Sequence, residues 1–269
     1  MLSEYPITQG ALITVVRSLG FAKPVIYLYP PKPTPASVKV SLSRNWRFSA
    51  LYPSTTKGCL KHGQTAEWNV LANPSGLMTV VGTPVDVAYL FWEAENKSSI
   101  DLPDTPLASR SSSPLPTTKP NLSLPRSTFI PRITRCSPDE SVMMPTEDVP
   151  SYLDRALLAL GLHTEARTSF ITYWLPSFLK HNHVALRFVP QVEYEAAAPL
   201  EVSPLPDVVT RIFMVFQGIS ADRLEGWQKA RGRGPEPIDF WKGIVGTDET
   251  RQRDPSLFRV LEWGGMEIQ

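Results

Sequence analysis

Cysteine is almost absent from this chain of 269 residues: Cys59 and Cys136 are the only two. They stand far apart and outside any C-x-x-C pattern, which excludes a disulfide framework and a cysteine-rich zinc site. Two free thiols in a reducing compartment is the simpler reading, a single bridge the other. Charge of one sign is lacking too. The net charge is +1 with no run of lysines or arginines, which argues against nucleic acid as a partner, because such binding needs concentrated basic surface. No segment approaches the roughly 18 apolar residues of a membrane span. The start, Met1-Leu-Ser-Glu-Tyr-Pro, has no basic region ahead of its short apolar run Ala11 to Val16, so no signal peptide is read there. The expectation is a cytoplasmic, soluble protein with no membrane partner. G-x-S-x-G, G-x-G-x-x-G and the P-loop are all missing, so no nucleophile elbow, dinucleotide or NTP site is implied and no cofactor is expected.

Proline, by contrast, is abundant: 27 residues, about twice the usual share. Six prolines, eight serines and four threonines crowd into Lys97 to Thr128, with no aromatic residue and no valine. Such a tract buries too little apolar surface to offset the entropy of ordering, and reads as a disordered insertion or linker over 97–128. Ahead of it, 1–22 reads as a weakly structured segment. The stretches 23–96 and 129–269 read as one α+β domain.

Before the tract the pattern is that of strands. Pro24-Val-Ile-Tyr-Leu-Tyr-Pro30 is a short apolar run closed by proline at both ends, a buried strand. Ser37 to Ser43 alternates, with Val38, Val40 and Leu42 on one face, a half-buried strand. Arg47 to Tyr52, Glu67 to Ala72, Leu77 to Val81 and Ala88 to Glu95 continue the series, which points to an antiparallel sandwich or barrel. After the tract the period changes. Leu153, Ala156, Leu157 and Leu160 predict a helix over Ser151 to Leu160, with Pro150 in its first turn and Gly161 at its cap. A second helix is predicted from Thr164 as N-cap, with Ala166, Phe170 and Trp174 on one face, ended or kinked by Pro176. Strands return at Val184 to Val189, Leu200 to Val202, Val208 to Phe216 and Phe258 to Ile268. Ser220 to Pro255 reads as a long loop with one short helix near Trp227. The fold class is α+β, mainly antiparallel and sandwich-like, with two helices around 151–180.

Five ordered blocks carry a resemblance: Lys23-Pro-Val-Ile-Tyr-Leu-Tyr-Pro30, Tyr89-Leu-Phe-Trp-Glu93, Tyr173-Trp-Leu-Pro176, Arg211-Ile-Phe-Met214 and Leu261-Glu-Trp-Gly-Gly265. From Lys23 to its C-terminus the chain resembles a family of uncharacterised bacterial and filamentous-fungal proteins. The resemblance implies membership and no activity. The similar bacterial proteins are shorter where Lys97 to Thr128 stands, which implies either a fungal loop insertion within one domain or intronic sequence retained in a gene model.

Candidate site residues follow from the blocks. Glu93 sits among aromatic residues in a strand, where a raised pKa would suit an acid or base; an exposed strand face is the plainer reading. Arg211 opens an apolar strand, placed to grip an anionic ligand or to pair internally with Glu93 or Glu262. Glu262 precedes Trp263-Gly-Gly265, where the glycines suit a tight turn, close approach of a ligand or a strand bulge. Trp46, Trp68, Trp92, Trp174 and Trp263 either pack a core or line a cleft for a sugar, peptide or hydrophobic metabolite. His181-Asn-His183 with Glu193 and Glu195 is a weak metal pattern that reads more simply as a solvated helix end, and no metal is assigned.

Two functions are expected from these residues. One is a binding module whose cleft is lined by Trp92, Trp174 and Trp263 with Arg211 as anchor, taking a small molecule or peptide. The other is a cofactor-independent acid/base enzyme (a cyclase, isomerase or hydrolase) using Glu93 or Glu262, with a place in fungal secondary metabolism.

Overall fold

A computed structural model describes residues 20–55, 57–60, 63–96, 136–234 and 238–268. Of the segment 1–22 read as weakly structured, 1–19 lies outside the described residues, while Gly20 to Ala22 are strand. The Pro/Ser/Thr tract also lies outside the described residues. Among the described residues eight strands precede residue 97: β1 (Gly20–Tyr29), β2 (Thr34–Ser41), β3 (Trp46–Tyr52), β4 (Lys57–Leu60), β5 (Gly63–Ala72), β6 (Met78–Val80), β7 (Asp86–Val87) and β8 (Leu90–Asn96). There follow β9 (Val142–Pro145), α1 (Val149–Ala159), α2 (Thr164–Phe178), β10 (His183–Phe188), α3 (Gln191–Ala197), β11 (Leu200–Ser203) and β12 (Val208–Ile219). Then come α4 (Gln228–Arg233), α5 (Phe240–Val245), α6 (Glu249–Arg253) and β13 (Arg259–Glu267).

The strands build two sheets. The larger runs β3-β8-β1-β13-β12-β10-β9; the smaller runs β11-β2-β5-β6-β7, with β4 also on β5. Strands from both sides of residues 97–135 therefore stand side by side in one sheet. Hydropathy patterning explains which strand goes where. In β2 and β5 every second residue is buried, as expected for a sheet with one face on a core and one in water. In β1, β10, β12 and β13 the buried run is continuous, because the larger sheet is covered on both faces.

One cover is the smaller sheet. Ile26, Leu28, Trp92, Phe213 and Val215 pack there with Val38, Val40, Trp68 and Val70. Helices form the other cover, where Val25, Tyr27, Ile212, Met214, Phe216 and Trp263 meet Leu153, Leu157, Phe170, Trp174, Phe178 and Trp241. The layers are thus helix, sheet, sheet. The α2 stripe Ala166, Phe170, Trp174 and Phe178 is fully or nearly fully buried; truncating Phe170 to alanine is expected to cost about 3–5 kcal/mol.

Several expectations need correction. Among the described residues all strand pairs are antiparallel except β12 with β13, which run parallel from Val208↔Arg259 to Phe216↔Glu267. A parallel pair needs a crossover that returns the chain to the sheet's starting edge. Residues 220–255 are that crossover and hold a 3-10 segment (Ala221–Trp227) plus α4, α5 and α6, more helix than the loop expected there. Trp241 of α5 is fully buried and donates from Nε1 to Tyr152 Oη at 2.7 Å. The stretch holding Glu193 and Glu195 is helix α3. The N-cap of α2 is His163, with Thr164 already in the helix, and Pro176 lies inside the last turn, which runs on to Phe178.

Gly264 and Gly265 make no bulge or turn in β13; they pair in register with Phe213 and Met214. A Cβ on Gly265 would lie 2.9 Å from the Trp174 ring, and one on Gly264 3.1 Å from Pro24 Cα. The glycines admit α2 and β1 to close approach. The bulge is opposite, in β1 between Ala22 and Val25, where Lys23 takes a positive φ of 51°.

Candidate functional site

Where β1 ends and β12 and β13 begin, the larger sheet opens a cleft of about 680 Å³ against the α1–α2 connection and α6. That volume is within the usual range for small-molecule sites, roughly 300–1,000 Å³. Local structure sets its walls. After α1 the chain turns at Gly161, whose φ of +92° is in the left-handed region, and Leu162 N–H returns to Leu157 C=O at 2.9 Å, an arrangement that favours glycine at the end of a helix. The turn delivers His163 to the start of α2. There its Nδ1 accepts the Ala166 backbone N–H at 3.3 Å, taking up one of the donors that a helix start leaves unpaired.

Tyr29, last residue of β1, meets His163 Nε2 at 2.7 Å. Burial holds the His163 pKa below its ordinary value and pushes the Tyr29 phenol up, so both are neutral near pH 7. Arg259 opens β13 with its Cζ 5.6 Å from the Tyr29 ring centroid, and its Nη1 donates to the Gln252 backbone carbonyl at 3.1 Å. Gln252 of α6 donates from Nε2 to Thr210 Oγ1 at 2.7 Å. Two buried polar atoms of the lining have no partner among the described residues: Arg259 Nε and Gln252 Oε1.

None of the six residues singled out in the sequence lines this cleft. Three of them converge elsewhere, between the sheets. Arg211 is fully buried; its Nε donates to Glu262 Oε2 and its Nη1 to Glu195 Oε2. Glu262, fully buried as well, also accepts from Trp92 Nε1 at 2.9 Å and Tyr194 Oη at 3.2 Å. The Arg211 guanidinium lies 4.2 Å from the Tyr194 ring centroid. Burial alone would lower the Arg211 pKa, but Glu262, Tyr194 and Glu195 outweigh it and hold it above its ordinary value. Burial, then the Glu262 charge, push Tyr194 well up. The sequence reading named Glu262 as one possible partner of Arg211, and it is one of the two; Glu195 is the other.

Trp263 lies on the opposite face of the larger sheet, buried under α2, and Trp174 packs into the same cluster from α2 itself. Beside them Lys23 Nζ stands 4.9 Å from the Tyr173 ring centroid and 5.5 Å from that of Trp263, and donates to Ser169 Oγ. Glu93 is near this group, on the helix-facing side of β8. Its Oε1 accepts from Tyr173 Oη at 3.4 Å. Burial and the neighbouring Glu93 charge push the Tyr173 phenol up to about 12.

The remaining sequence candidates do not converge. His181 meets Glu267 at 3.0 Å, and Glu195 is taken by Arg211. Among the described residues no cluster of three or more His, Cys, Asp or Glu side chains is disposed to hold a metal ion. Cys136 is free and buried, its thiol pushed up to about 12 by burial, so it is no thiolate at neutral pH. No helix among the described residues is long and apolar enough to cross a membrane.

Sequence reasoning missed His163, Arg259 and Gln252. A histidine between a helix-ending glycine and a helix-starting threonine was a usable signal for a cap. Nothing in the sequence marked Arg259 or Gln252. The comparisons add no function: no protein-family model, curated protein or solved structure matches the chain.

Proposed function

We propose that this protein is a small-molecule-binding module whose ligand occupies the cleft around Tyr29, His163 and Arg259. The observation that carries the reading is a cleft of about 680 Å³ on which polar groups converge while two buried lining atoms lack partners. Unpaired buried polar atoms cost free energy unless something pairs them. In this reading the tryptophans and the Arg211–Glu262 pair are scaffold, and Tyr29 supplies the aromatic wall.

Membership of the five-block family belongs to the same proposal. It is supported by how the blocks meet: Trp92, Arg211 and Glu262 come from three of them and form one bonded cluster. Lys23, Tyr173 and Trp263 again come from three and form another. Residues so mutually packed account for the blocks by folding alone.

The test is a thermal-shift screen of small polar metabolites, repeated on Tyr29→Phe and on Leu158→Trp. Leu158 is 46% exposed at the cleft, so tryptophan there narrows the mouth without loading the core. Compounds that stabilise the parent protein should lose most of their effect in both variants. Equal shifts in all three proteins would overturn the reading.

A further inference from the structure

Resting on the reading of the cleft as a ligand site, we infer that its ligand presents an oxyanion, a carboxylate or phosphate, held between the Tyr29 hydroxyl and Arg259. Proton placement comes first. His163 Nδ1 accepts the Ala166 N–H, so that nitrogen carries no proton. A neutral imidazole then bears its proton on Nε2, and at 2.7 Å Nε2 donates to Tyr29 Oη. The phenol oxygen is therefore used as an acceptor by the protein. Its own proton has no protein acceptor among the described residues and is left for a ligand. Burial favours the same neutral imidazole.

Arg259 provides the second donor. Three arginines line the cleft, and two are engaged by carboxylates: Arg167 with Asp154 at 2.9 Å and Arg253 with Glu249 at 2.9 Å. No carboxylate among the described residues is within ion-pair distance of Arg259. Its Nη1 bonds a neutral carbonyl, while Nε is buried and unpaired. The Arg259 guanidinium, 5.6 Å from the Tyr29 ring centroid, and the phenol O–H make a donor-only pair, and an oxyanion accepts from both. Gln252 adds a third donor when its amide is turned so that Oε1 accepts from Thr210 Oγ1 and Nε2 faces the ligand. With Nε2 on Thr210 the unpaired atom is the acceptor Oε1, which an oxyanion does not engage. The lining has one carboxylate not held by an arginine, Glu165, and it is exposed at the rim. A single small anionic group suits this balance better than a polyanion does.

The experiment is calorimetric titration of the whole chain with two matched series: benzoate against benzamide, and phenyl phosphate against phenol. At least one anion should bind, and its neutral counterpart should bind at least tenfold more weakly; which series responds separates a carboxylate from a phosphate ligand. Arg259→Gln should weaken the responding anion about tenfold or more, Tyr29→Phe several-fold, and Arg259→Lys less than Arg259→Gln. Melting temperatures taken alongside show that each variant is folded. Should neutral compounds bind as well as the anions, or a folded Arg259→Gln bind like the parent, the oxyanion inference fails while the cleft reading stands. Should the parent bind neither series, and the metabolite screen also return nothing, both fail.

Discussion

Two arginines stand on neighbouring parallel strands, Arg259 at the start of β13 and Arg211 three residues into β12, and each lies against a tyrosine. Arg211 of β12 has its guanidinium 4.2 Å from the Tyr194 ring; Arg259 of β13 lies 5.6 Å from Tyr29. Arg211 is fully buried between the sheets and has two carboxylate partners. Arg259 borders an open cleft and has none among the described residues. The tyrosines differ in the same sense. Tyr194 donates its proton to Glu262, whereas Tyr29 accepts one from His163 and its own proton has no acceptor among the described residues. Similar residue pairs thus become a sealed scaffold or, on the proposed reading, a recognition surface, according to whether the fold itself neutralises the charge. The sealed pair also shows why a block of family-like sequence is a poor guide to a binding site: its charged residues are those most deeply committed to one another.

The comparison is tested most severely at Glu262. Glu262→Gln keeps the shape but leaves Arg211 opposite a neutral amide in the core, and should cost about 3–5 kcal/mol in urea unfolding. Tyr29→Phe by the same measurement should stay within about 1 kcal/mol. Equal losses at the two sites would end the distinction between scaffold and surface. A smaller effect is expected at Gly161, whose φ of +92° disfavours any other residue and where a Cβ would meet the Gln252 side chain at 2.2 Å. Gly161→Ala should lose roughly 1–3 kcal/mol and disturb ligand binding as Gln252 is displaced. An unaffected midpoint would show that this turn does not constrain the cleft.

His163 sharpens the comparison through pH. Its pKa is lowered in the folded state by burial, so the unfolded chain takes up a proton more readily. The associated stability is present above the unfolded value of about 6.5 and is lost as pH falls through the lowered folded value. Between pH 7 and 5 the parent protein should therefore lose more stability than His163→Asn, which keeps a capping side chain. Parallel curves for the two proteins would contradict the assigned neutral imidazole. The least effect belongs to the solvent face of the smaller sheet, where Lys39 meets Glu201 at 3.1 Å with the glutamate side chain 64% exposed. A double-mutant cycle on that pair should give no more than about 1 kcal/mol; a value near that for Arg211 and Glu262 would mean that burial is not what separates the sites.

Strand and helix positions were legible where one short-range signal settled them. The alternation from Ser37 to Ser43 became the half-buried β2, and the Ala166, Phe170, Trp174 stripe became the buried face of α2. The closed run Pro24 to Pro30 became a strand covered on both faces. Signals were weaker where tertiary demand decided the outcome. The helices of 220–255 exist because β12 and β13 pair in parallel and the chain must return between them, a fact no local window contains. The candidate site was the least legible part. Trp92, Trp174 and Trp263 drew notice as large aromatic residues, yet their size is what sent them into the core. Tyr29 and His163 stand 134 positions apart, and Arg259 comes from yet another strand.

What the sequence determined by itself was therefore the class of the strands and of the two long helices: hydrophobic period and turn residues act over a few neighbours and can be read as written. It also named one partner of Arg211, Glu262, but not the other, Glu195, which lies in α3 and not in an apolar strand. Tertiary structure alone decided which charged groups were neutralised and which were left open. That outcome depends on distances between residues far apart in the chain and on the water excluded when two sheets and a helical layer close. Arg211 and Arg259 look alike in the sequence, and only the packing around each separates a buried ion pair from a donor facing a cleft.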